Sequence, residues 1–180
     1  MTIAQLKPKT DSLTADPKRL IERTAEVVSA ADRVLALAKT GGRQRIQDAG
    51  GIDAAQHAAH GLAWFATTVE SLRQMNVWAS NLQAEGKFGE IEQLILLAAF
   101  GEYAAQISVG IPMSQVEIIR PEALGIPRAD IRMYEDAVAD VVAEGTSEYV
   151  KQRLADLIEA AQGATTYGAS GLDETHAEIA

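Results

Sequence analysis

DAAQHAAHGLAWFATTVESLRQMNVWASNLQA, residues 53–84, decides the fold. It contains no proline, and Leu62, Phe65, Val69, Leu72 and Met75 recur every three or four positions, the period of a helix with one apolar face. The spacing predicts one long helix over 53–84, ended by Gly86, and the neighbouring segments repeat the pattern. Upstream, Asp16 is placed to cap a helix whose first position is Pro17. Leu20, Ile21, Val27, Val28, Val34 and Leu35 carry that helix to an expected stop at Gly41-Gly42. Downstream, Ile91, Leu94, Ile95, Ala98, Tyr103 and Ile107 predict a helix over 89–108, and two shorter helices follow over 128–143 and 146–161. Glu144-Gly145 separates these last two, with Thr146 as the expected cap. The fold class is therefore all-α, an up-and-down bundle of four to five helices with the second helix as its spine.

Composition agrees. Of 180 residues, 47% are hydrophobic but only 5% aromatic, enough for one core and poor in the alternating β-branched runs of a sheet protein. The organisation reads as a flexible arm over 1–15, a helical bundle over 16–162 and a Gly/Ser/Thr-rich linker over 163–180 that leads towards a further domain. Between the third and fourth helices, 110–127 holds Pro112, Pro121 and Pro127 and is expected to be an extended loop or broken helix.

A net charge of −9 without clustered Lys and Arg argues against nucleic acid as a partner. The absence of cysteine excludes disulfides, thiolate catalysis and thiolate metal sites. The N-terminus lacks the apolar segment of a signal peptide and no run approaches the length of a membrane span, so a cytoplasmic protein is expected.

Two motifs carry a resemblance. DAVADVVAEGTSEYVKQRL, residues 136–154, is similar to the end of acyl-CoA dehydrogenases, and KFGEIEQLILLAAFGEYAAQI, residues 87–107, is similar to their RxxFGxxIxxFQ helix. The likeness to the C-terminal helical bundle of that family runs from about Trp78 to Ile158. It implies that Glu144 falls where the family often has the carboxylate that removes the α-proton of an acyl-CoA, and that Gly145 and Thr146 fall near its flavin. The departures are as specific. The arginine of RxxFG falls on Glu85, that of the RDA helix start on Glu135, and the QxxGGxG turn on Gln106, Val109, Gly110 and Pro112, with two of three glycines replaced. A carboxylate cannot donate to a phosphate, and a Cβ at Val109 or the fixed φ of Pro112 hinders close approach of a dinucleotide.

Residues 51–78 (GIDAAQHAAHGLAWFATTVESLRQMNVW) and 110–121 (GIPMSQVEIIRP) are further similar to the N-terminal extension of the (2S)-methylsuccinyl-CoA dehydrogenases. The resemblance implies a degenerate helical copy, structural or oligomer-forming, within an oxidoreductase that oxidises a branched short-chain acyl-CoA. FAD would be the hydride acceptor of that enzyme and an electron-transfer flavoprotein its partner, alongside its remaining dehydrogenase domains and a homo-oligomer. No cofactor and no catalysis are expected in this chain alone. Glu144 is the candidate base and Phe88 and Thr146 are the candidate flavin contacts; on them a small active flavoprotein would depend. The alternative from another class is a stand-alone helical interaction or dimerisation protein.

Each candidate has a plainer reading. Glu144 beside a helix start can be a solvated residue that complements the helix dipole. Asp53, His57 and His60 are spaced to share a helix face, yet a surface or core role outweighs a metal site, and no metal is expected. Trp64 and Trp78, fourteen residues apart, fall near one face and mark core or an oligomer seam, with Gly61 permitting close helix contact. Ser114, Glu117 and Arg120 could line a cleft or dock a partner.

Overall fold

The computed structural model describes residues 12–161, and within them five α-helices form an all-α bundle with one two-stranded sheet. The linker expected over 163–180 and most of the expected arm lie outside these residues. After a 3-10 turn, Leu13–Ala15, come α1 (Pro17–Asp48), α2 (Gln56–Ala84) and α3 (Glu90–Val109). A 3-10 turn, Ile52–Ala54, joins α1 to α2, and strands β1 (Ile111–Pro112) and β2 (Ile118–Ile119), a further 3-10 turn Pro121–Leu124, α4 (Arg128–Gly145) and α5 (Glu148–Ala160) complete the order. Helix α1 packs chiefly on α2, and α3 chiefly on α4. No helix among the described residues is long and apolar enough to cross a membrane.

The helix starts follow from capping chemistry. Asp16 accepts from the Lys18 amide at 2.9 Å ahead of Pro17, as its position predicts. At the end of α2, Gly86 adopts φ +69°, and the amides of Gly86 and Lys87 turn back to the carbonyls of Gln83 and Leu82. Glu92 accepts from the Gly89 amide at 2.9 Å and closes the first turn of α3.

Several expectations are corrected. Gly41-Gly42 does not stop α1, which continues to Asp48. A Cβ on Gly41 would collide with the Leu124 carbonyl, so the glycine serves the approach of the 121–124 turn rather than helix termination. Arg45, one turn on, donates to Glu122 O at 2.8 Å and fixes the same contact. The expected spine, α2, gives way to α3, the helix that touches each of the other four. Its run Leu94–Phe100 is apolar on every side, the pattern of a helix enclosed by others. For that reason the periodicity misassigns its faces: Leu96, Leu97 and Phe100 are buried, whereas Tyr103 is exposed.

The 110–127 segment is not an open loop. Ile111 pairs with Ile119 and Pro112 with Ile118 in an antiparallel hairpin, and Ile111, Met113, Ile119, Leu124 and Ile126 are buried under it. Gly61 is the seat of this cover on α2, since a Cβ there would overlap Ile119. Ser12 and Leu13, assigned to the arm, are packed, at 6% and 4% exposed.

Candidate functional site

The α4–α5 junction gathers the motif residues Glu144, Gly145 and Thr146. Helix α4 runs through Glu144 and Gly145, so Glu144 stands in a last turn and not at a helix start. Thr146 is not the cap of α5. Its hydroxyl donates to Val142 O at 2.7 Å, the back-bonding of a threonine to its own helix, and Ser147 accepts from the Val150 amide at 3.3 Å instead. Gly145 is buried against α3, where a Cβ would lie 2.9 Å from Gly101 Cα. The glycine of the EGTSE motif is thus required by helix packing.

The half-buried Glu144 carboxylate is neither free nor merely solvated. Leu13 N donates to both of its oxygens, at 3.0 and 3.1 Å, and the Ser12 hydroxyl donates to Oε1 in a short contact. The chain's own N-terminal segment, 131 residues away in sequence, lies against the group that the resemblance marks as a base. Neither Ser12 nor Leu13 could be singled out from sequence, because their partner comes from the far end of the fold. The one signal was Leu13 itself, a lone aliphatic in a polar stretch.

The other candidates are dispersed. Phe88 is buried at the start of α3, and its carbonyl accepts from Gln93. From Gly89, the cap that follows it, to Gly101, which touches the junction, is a helical rise of about 18 Å, so Phe88 and Glu144 do not converge within this chain. Glu85 is exposed and paired with Lys87 at 2.7 Å. Val109 is 66% exposed, and Gly110 is hemmed in by Ile118, whose Cγ2 lies 2.7 Å from where a Cβ would sit. Glu135 and Pro112 are exposed, and Gln106 is half-buried.

A second group lies where the hairpin meets α2. Helix α2 begins at Gln56, leaving Asp53 in a 3-10 turn and off the helix face that the spacing assigned it. His57 Nδ1 pairs with Glu117 at 3.0 Å, and Trp64 Nε1 donates to His60 Nε2 at 2.9 Å with the rings edge to face. Ile52, Gln56, His57, Ala59, His60 and Glu117 line an open groove of about 430 Å³. The carboxylate that meets His57 comes from the hairpin, sixty residues on, and not from Asp53. Ser114 and Arg120 are exposed. Trp64 is 39% exposed, while Trp78 packs against the core, so the two rings have different surroundings despite their shared face.

Ion pairs hold the outer layer. Arg23 on α1 grips Asp140 on α4 through Nε at 2.9 Å and Nη2 at 2.7 Å. The hydrogen bonds from Arg23 hold the Asp140 carboxyl below the usual carboxylate range. Arg153 binds both oxygens of Glu90 at 2.7 and 2.8 Å, and these hydrogen bonds lower the Glu90 pKa. Burial raises the Tyr134 phenol, whose hydroxyl donates to Ala104 O at 3.2 Å.

No protein-family model matches the chain. Among curated proteins it is similar to the (2S)-methylsuccinyl-CoA dehydrogenase of Cereibacter sphaeroides, 50% identical over 119 residues. The match takes in 66% of this chain and 21% of the length of that enzyme. The likeness read from the sequence motifs is thus met by a homologue, and the chain is related to an acyl-CoA dehydrogenase over about a fifth of that enzyme's length.

Proposed function

We propose that the chain is a non-catalytic helical domain, structural or oligomer-forming, of a FAD-dependent dehydrogenase that acts on a branched short-chain acyl-CoA and is related to (2S)-methylsuccinyl-CoA dehydrogenase. The observation that carries this reading is the state of Glu144. A general base needs its carboxylate within hydrogen-bond reach of the proton it takes, and here Leu13 N and the Ser12 hydroxyl occupy that carboxylate. The 50% identity to part of such an enzyme supports the enzyme class.

The residues at the flavin-facing positions do not suit FAD. Glu85 brings a negative charge paired with Lys87, Gly110 has its open side filled by Ile118, and Phe88 is buried in the bundle. FAD therefore belongs to the other domains of the enzyme, with an electron-transfer flavoprotein as electron acceptor, a homo-oligomer as the assembly and the cytoplasm as location. No catalytic step is assigned to this chain.

A stand-alone interaction protein is the second reading, favoured by apolar groups at the hairpin end of the bundle: Val116 is 95% exposed, and Ile52 and Ile118 are exposed with it. The purified chain, titrated with FAD and followed by visible absorbance, tests the first reading. It predicts no retained flavin after gel filtration, and stoichiometric retention would overturn it.

A further inference from the structure

The contacts of Ser12 and Leu13 form a device that extends beyond the occupancy of one carboxylate. Three successive amides are held there. Leu13 N donates to Glu144, Thr14 N to Ser12 Oγ at 3.2 Å, and Ala15 N to Ser12 O at 3.1 Å. The hydroxyl of Ser12 thus serves both ends, accepting from Thr14 N while donating to Glu144. Leu13 is inserted into the core, and its 3-10 turn touches both α1 and α3. Asp16, in extended backbone at φ −136° and ψ 110°, then turns the chain into α1.

Glu144 sits in the last turn of α4, beside the packed Gly145, and the chain passes from there into α5. Val150 is the one fully buried residue of α5. Tyr149, Leu154 and Leu157 are partly covered against the core, Ile158 is exposed, and Arg153 with Glu90 and Lys151 with Glu102 add ion pairs at the surface. A monodentate surface pair such as Lys151 with Glu102 holds a helix weakly, so α5 depends chiefly on its few apolar contacts and the Arg153–Glu90 fork. Glu144 lies three residues before Ser147, the cap from which α5 departs. A carboxylate that accepts a main-chain N–H and a hydroxyl makes charge-assisted hydrogen bonds, stronger than neutral ones, so the N-terminal turn is fixed to the point that aims α5.

We propose that Ser12–Ala15 is a strap, latched by Glu144, which closes the α3–α4–α5 corner and sets the position of α5; unlatching frees strap and helix together and uncovers the Glu144 carboxylate and the slot that Leu13 fills. The inference concerns this chain's own motion and does not depend on the enzyme class assigned above.

Hydrogen exchange of the purified chain, read by NMR or mass spectrometry on wild type, Glu144→Ala and Glu144→Gln, tests the latch. In Glu144→Ala the amides of Leu13, Thr14 and Ala15 exchange about tenfold faster, the amides of α5 accelerate with them, and those of Val27–Ala38 in α1 keep their wild-type rates. Glu144→Gln retains one carbonyl acceptor for Leu13 N and falls between wild type and Glu144→Ala. Should Glu144→Ala fail to fold, Ser12→Ala leaves the carboxylate in place and weakens the latch by removing the hydroxyl, giving a smaller acceleration of strap and α5 together, whereas acceleration of the strap alone would overturn the coupling. Unchanged strap exchange would overturn the proposal. Acceleration spread evenly over α1 to α5 would also overturn it, because it would mark general destabilisation rather than a latch.

Discussion

Replacing Gly101 by Ala puts the backbone approach of α3 to α4 to the test. An ideal Cβ at Gly101 lies 2.8 Å from Gly145 Cα, 2.9 Å from Gly145 C and 3.0 Å from Thr146 N. Carbon atoms in contact sit about 3.5–4.0 Å apart, so the overlap is about 1 Å, and every atom met is backbone that cannot rotate away. An interior packed at crystal density offers no slack to absorb it. Overpacking of this kind costs about 1–3 kcal/mol, and rigid backbone places the cost at the upper end. Exchanging Gly for Ala inside a helix returns about 1 kcal/mol. The net loss is about 2 kcal/mol, a fall in Tm of about 4–8 °C for a chain of this size. Gly42→Ala is the internal contrast: it too lies inside a helix, but its Cβ would first meet the Leu62 side chain, at an ordinary 3.4 Å. It is expected to hold or raise Tm. Thermal unfolding followed by circular dichroism reads both, and a Gly101→Ala protein as stable as wild type would refute the packing argument.

Further expectations follow from the ion pairs and the exposed rings. Asp140 has a folded pKa below its ordinary 3.8 because of Arg23, so the pair contributes stability above that value which is lost as pH falls through the folded pKa. Asp140→Asn should cost no more than about 1 kcal/mol at pH 7, given the half-exposed carboxylate, and the two proteins should converge in urea stability as the pH falls through the lowered folded pKa; an undiminished gap in strong acid would contradict the assignment. Self-association should involve the face that exposes Trp64, so sedimentation should show a homo-oligomer weakened by Trp64→Ala, whereas a monomeric wild type would oppose it. Trp78→Ala should act instead on stability, because that ring packs against the core.

Most of the architecture was legible because local chemistry and global packing agree. Asp16 before Pro17, the apolar stripe from Leu62 to Met75 and the Gly86 turn each have one reading, and the bundle takes it. The misreadings arise where glycine and polar residues act through tertiary contacts. Gly41 resembles a helix stop until the Leu124 carbonyl is placed against it, and Gly145 resembles a cofactor approach until α3 is placed against it. The uninterrupted apolar run 94–100 within α3 gives no periodicity from which to orient its faces. At the candidate site the motif identified Glu144, but its partners Ser12 and Leu13 and the His57–Glu117 pair join residues far apart in sequence, which no local pattern encodes.

The most direct measurement is turnover of Glu144→Gln in the longer dehydrogenase that the proposed function requires, with a branched short-chain acyl-CoA and an artificial electron acceptor. If Glu144 is the latch of a non-catalytic helical domain, the amide still accepts from Leu13 N and the rate stays within about twofold of wild type. If Glu144 takes the α-proton, the amide cannot, and turnover falls by about two to four orders of magnitude in a folded protein. The account predicts the first result, and the second would contradict it.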